Sequence, residues 1–124
     1  MKIQLRDGLP FVSVSLMVDG KQITCANVLL DTGSAGTVFA AAHALAIGLR
    51  YEPSDAAHRI CGVGGTEFVF SKQVDLVRVG DLAAKNFSIE VGAMDYGFEM
   101  DGIIGVDWLT QVGAVIDLAQ LEIR

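Results

Sequence analysis

A chain of 124 residues is the size of one ordinary domain, and with 52% apolar and 19% charged residues it has the material for one core, which argues against disorder and leaves no room for a second domain. The formal net charge of −6, with no run of Lys or Arg, removes the electrostatic signature of a nucleic-acid binder. Two cysteines, Cys25 and Cys61, with no CxxC and no His cluster beside them, imply neither a zinc site nor a disulfide framework, and no metal or cofactor is expected.

The first residues, MKIQLRDGLPFVSVSL, carry charges at Arg6 and Asp7 that interrupt any apolar signal core. No stretch approaches the roughly 18 apolar residues of a membrane-spanning helix. If this is the whole protein, a soluble, cytoplasmic, single domain over 1–124 is expected. The surplus of apolar residues needs covering, and a symmetric partner would cover it, so a homodimer is expected.

Phe11 to Val18 alternates with period two and meets Asp19-Gly20, a hairpin turn signal, after which Lys21 to Leu30 forms the return strand. That strand runs into Asp31-Thr32-Gly33-Ser34-Ala35-Gly36, a tight loop. A short helix is expected where AAAHALAIG ends at Gly48. Glu52 to Ala57 reads as a loop, and the glycines of Arg59 to Gly65 (RICGVGG) make a hairpin tip leading into a long strand, Thr66 to Val79. A further strand covers Ala84 to Val91, and Ala93 to Asp101 reads as loop. Gly102-Ile103-Ile104-Gly105 is a short apolar strand of the kind buried on both faces. Val106 to Val112 makes two helical turns that Gly113 ends, and Ala114 to Leu118 with Leu121 to Ile123 closes the chain as a hairpin.

Three of the four residues before Asp31 are apolar and Thr32-Gly33 follow it, so its carboxylate emerges from a buried strand into a fixed loop. Taken alone, Asp-Thr-Gly-Ser is also an ordinary turn composition, and Asp31 could simply cap that turn.

Four segments in order resemble the aspartic peptidases of the pepsin and retroviral protease clan, over nearly the whole chain. VLLDTGSAGTVF resembles the catalytic loop, where the Asp is catalytic, the Thr bonds across to a partner loop, and the Gly permits close approach. This implies catalytic roles for Asp31, Thr32 and Gly33. Arg59 to Gly65 is similar to the flap of retroviral proteases, with Gly62-Val63-Gly64-Gly65 as its tip and Thr66 to Asp75 as its return. Ile103-Ile104-Gly105 resembles the strand behind the catalytic loop, and Leu109-Thr110-Gln111-Val112-Gly113 resembles the helix end. Ser34, Cys61, Gly62, Val63, Gly64, Gly65 and Ile103 are then the expected substrate-binding residues.

The fold implied is all-β: a closed retropepsin-like acid-protease barrel with one flap hairpin and one or two short helices. The activity implied is aspartic endopeptidase. Because the chain holds one Asp-Thr-Gly, two copies must meet to pair their Asp31 carboxylates over a peptide or protein substrate. Ser34 is expected to bond Asp31 and draw the site toward acid. Val28, Ile60, Val63, Val69 and Ile103 are candidate pocket walls. Asp95 and the other carboxylates of the second half read as solvated loop groups, or as helix N-caps for Asp101 and Asp107. His43 reads as a helix-surface residue and His58 as a loop residue, while Trp108 and Phe39 read as core.

The pattern departs from the retroviral enzymes in having Val106-Asp107 after the Ile-Ile-Gly strand, where those have Arg-Asn, and Ala35-Gly36 after Ser34. The Arg brace of their dimers is therefore missing. The C-terminal segment is expected to form its own hairpin rather than to interleave with a partner. Two other readings stand beside the peptidase: a silent peptide-binding or dimerisation module of the same fold, and a structural β-barrel domain.

Overall fold

A computed structural model describes residues 1–62, 65–94 and 99–124, with side chains at all of these except 60–62 and 65–67. The elements are β1 (Gln4–Arg6), β2 (Leu9–Val18), β3 (Lys21–Leu30), β4 (Val38–Ala40), α1 (Ala41–Ala46), β5 (Ala57–Gly62) and β6 (Gly65–Val79). After these come β7 (Leu82–Gly92), β8 (Gly102–Ile104), α2 (Val106–Gln111), β9 (Ile116–Asp117) and β10 (Glu122–Ile123).

Local chemistry accounts for several of these boundaries. Asp19 and Gly20 both have positive φ, 50° and 78°, as the tight turn joining two right-twisted strands demands. Gly48 at φ +86° stops α1, and Gly113 at φ +65° stops α2. The alternation of β2 holds through Val12, Val14, Leu16 and Val18, all in the main core, whereas β3 carries one extra residue between Cys25 and Val28, where the pairing of the two strands shifts. The closing hairpin is shorter than the sequence suggests, and the amino terminus lies against it: Ile3 N–H donates to Leu121 O at 2.8 Å, and Ile123 N–H to Met1 O at 2.9 Å.

The main sheet runs in the order β1-β2-β3-β8-β4-β7-β6-β5, and β2 also pairs with β6, so the strands from β2 round to β6 form a ring. The short β8 is inserted between β3, to which it is parallel, and β4, to which it is antiparallel. This insertion brings residues 102–104 behind the loop that starts at Asp31.

Alternation then sorts side chains onto two faces. Val28, Leu30, Phe39, Ile89, Val91 and Ile104 join the main core around Trp108, which is fully buried and donates its indole N–H to Val77 O at 3.1 Å. Leu29, Val38 and Ile103 turn the other way and pack with Phe11, Val69, Met94 and Met100 in a second cluster. Phe39 and Trp108 are core, as expected. Among the described residues no helix is long and apolar enough to cross a membrane.

Candidate active site

Asp31 stands at the end of β3, where its N–H continues the ladder by donating to Ile104 O at 3.0 Å. Its Oδ1 accepts the Gly33 N–H at 2.9 Å, and its carbonyl accepts the Ser34 N–H at 3.1 Å, so the loop folds back on its own carboxylate. A Cβ at Gly33 would sit 3.2 Å from that Oδ1, a close fit that glycine avoids. Asp31 is half-buried while Thr32, Gly33 and Ala35 are exposed, so the loop is presented outward from a rigid base.

The base is built from β8 and α2. Val106 N–H donates to Ser34 O at 2.8 Å, and Gly105 lies so close to the loop that a Cβ there would come within 2.6 Å of the Gly36 carbonyl carbon. Thr37, fully buried, accepts the Gly105 N–H at 3.0 Å and donates its hydroxyl proton to Asp107 Oδ1 at 2.8 Å. Asp107 also accepts the Thr37 N–H at 3.3 Å and the Trp108 N–H at 2.8 Å. Both ends of the loop are thereby fixed to elements about seventy residues away.

Several sequence expectations are corrected here. The Ser34 hydroxyl donates to Gly36 O at 2.7 Å instead of reaching Asp31, because the loop curls its own carbonyl into range. Asp107 is a clamp on Thr37 rather than a cap, and α2 starts from Gly105 with no side-chain cap. Asp101 is buried, accepts the Asn27 N–H at 3.0 Å and lies 2.8 Å from His43 Nε2, so it is neither a solvated loop group nor a cap, while His43 stays a partly exposed residue of α1. Burial, followed by the Asp101 carboxylate, pushes the neighbouring Cys25 thiol up to about 11. Val28 faces the main core and is no pocket wall, whereas Ile103 is half-buried on the face that carries Asp31. Val69 is buried in the second cluster.

Residues Ala57–Gly62 and Gly65–Val79 pair as an antiparallel hairpin with Gly62 opposite Gly65. Val63, Gly64 and Asp95 lie outside the described residues, as do the side chains of Ile60 and Cys61. His58 belongs to β5 rather than to a loop, and its Nε2 lies 2.8 Å from Glu90 Oε2 on β7. Thr37, Asp107 and the His58–Glu90 pair are the site features that sequence reasoning missed. Nothing local to them signals a partner.

Residues 14–108 match the family model described as aspartyl protease, a span that includes the Asp31 loop, the β5–β6 hairpin and β8. The chain belongs to the aspartyl protease family. Its structure is similar to the crystal structure of a retropepsin-like aspartic protease from Rickettsia conorii, with a TM-score of 0.69 at 20% identity over 99% of this chain and 95% of that one. At that identity the likeness speaks for the fold of this aspartyl protease, which is retropepsin-like. No curated protein shows a significant match.

Proposed function

We propose that the chain is an aspartic endopeptidase whose active unit is a twofold homodimer, with Asp31 of each copy facing the other. The observation that carries this reading is the Asp31 loop itself. A carboxylate is held at Oδ1 by the Gly33 N–H, fastened from behind by β8 and α2, and exposed along Thr32 and Gly33 where a second copy would meet it.

Two carboxylates brought within a hydrogen bond of each other share one proton and titrate as a unit, because ionising both at once is costly. The charged member takes a proton from a water whose oxygen attacks the peptide carbonyl carbon. The protonated member gives its proton to the carbonyl oxygen. As the gem-diol collapses, one hydroxyl returns its proton to the charged carboxylate and the carboxyl that took the water's proton gives it to the amide nitrogen, so the C–N bond breaks, a neutral amine leaves and the pair regains its single shared proton. Thr32 would bond across the twofold axis and Gly33 would permit the close approach. The β5–β6 hairpin would act as the flap, with Val63 and its flanking glycines over the substrate and Cys61 and Ser34 along its path. The ring of strands serves as a closed barrel that keeps the loop rigid, and Ile103 lines the groove.

Incubating the protein with a mixed peptide library from about pH 3 to pH 7 and mapping cleavage by mass spectrometry tests this, with Asp31→Asn as the control. Cleavage that disappears in Asp31→Asn is the expected result. A folded, concentrated protein that cleaves nothing at any pH would overturn the reading in favour of a peptide-binding module.

A further inference from the structure

Strand pairing lays Phe11, Leu29, Ile103, Val38 and Glu90 side by side across β2, β3, β8, β4 and β7. Directly paired residues project on one face of a sheet, so these five form a row. Asp31 lies two residues past Leu29, and its N–H continues the ladder, which puts it on that same face. The first four members are apolar and join the second cluster, while the fifth is a carboxylate.

That carboxylate is poorly solvated. The Glu90 side chain is 21% exposed, and its buried Oε2 makes no hydrogen bond, although His58 Nε2 stands at ion-pair distance, 2.8 Å. Its other oxygen lies over the Asp31 loop, where a Cβ on Gly36 would come within 2.6 Å of Oε1. The loop leaves room there for this acid. A buried carboxylate oxygen without an aligned donor is costly, and the cost is recovered when a donor arrives.

We propose that Glu90 determines specificity, taking a lysine or arginine side chain of the peptide held along this row. The inference rests on the peptidase reading above. From β3 to β7 is three inter-strand steps of about 4.8 Å, roughly 14 Å, so the cationic residue lies within about four residues of the scissile bond. A guanidinium or ammonium that reaches the exposed part of this carboxylate adds a charge-assisted donor beside the His58 contact, and a net charge of −6 draws cationic peptides toward the protein.

The test uses peptide pairs taken from cleaved library sequences, with Lys at the selected position in one and norleucine in the other, and compares kcat/KM. The protein should prefer Lys by roughly ten- to hundredfold, as a charge-assisted hydrogen bond implies. Glu90→Gln should bring the ratio close to one, and Glu90→Lys should favour Asp or Glu there. Asp31-dependent cleavage without a cationic preference, or a preference that survives in Glu90→Gln, overturns the proposal and leaves the peptidase reading standing. No cleavage of any peptide overturns both.

Discussion

Thr37 and Asp107 hold the Asp31 loop from behind: the Thr37 hydroxyl donates to Asp107 Oδ1 at 2.8 Å while accepting the Gly105 N–H at 3.0 Å. One buried oxygen thus connects the end of the loop to β8 and to the first turn of α2. In the retroviral enzymes that the sequence resembles, an Arg-Asn pair follows the apolar strand. Here Asp107 fastens the loop within the chain.

Thr37→Val keeps the shape of the side chain and removes both bonds. The Gly105 N–H then lacks an acceptor and Asp107 loses a donor, so the variant should be less stable by about 2–3 kcal/mol. Thr37→Ser should recover most of the difference. Urea unfolding of the three proteins measures it, and equal midpoints for the native protein and Thr37→Val would remove the clamp from the account.

Gly105→Ala tests the close approach of the β8–α2 junction to the loop. The new methyl would stand 2.8 Å from Ser34 O and nearer still to Gly36, and both neighbours are backbone, so the loop must move. A loss of about 1–3 kcal/mol of stability is expected from the overpacking. A fall of roughly a hundredfold in kcat/KM is expected from a displaced Asp31. Native activity in a folded Gly105→Ala protein would show that this packing does not position the carboxylate.

Lys72 pairs with Glu52 at 2.7 Å and with Asp55 at 2.9 Å, tying the segment before β5 onto β6. The Lys72 hydrogen bond, aided by the Glu52 N–H, holds the Asp55 carboxyl below its ordinary 3.8. A carboxyl depressed on folding adds stability above its unfolded value, and this is lost as pH falls through the folded value. Lys72 itself is raised above 10.5, first by Glu52 and then by Asp55, so its contribution is present below that pH and is lost as pH rises through the folded value. The stability gap between the native protein and Lys72→Met should therefore be largest between these limits and narrow below pH 3.8. Denaturant midpoints at about pH 7 and about pH 2 test the sign, and a gap that widens in acid would contradict it.

Much of the fold was legible because its cues are local. Asp19-Gly20 marked the first hairpin, Gly48 and Gly113 ended the two helices, and the apolar triplet before Gly105 marked the strand threaded behind the loop. The Asp31 loop was legible from its residue types and their order. What was not legible joins residues far apart in sequence. The closure of β2 on β6, the His43–Asp101 pair, the Thr37–Asp107 clamp and the Glu90–His58 contact each depend on how the ring folds, and no local period announces them. Ser34 shows the converse error: a hydroxyl near a carboxylate in sequence found a nearer acceptor in its own loop.

The central claim, that catalysis needs Asp31 from two copies, is tested most directly by unfolding the native protein and Asp31→Asn together, refolding the mixtures at fixed total concentration and measuring peptide cleavage. If both carboxylates of a twofold pair are required, activity follows the square of the native fraction and equal parts retain about a quarter. A linear fall, with about half the activity left in equal mixtures, would mean that each chain acts alone and would contradict the account.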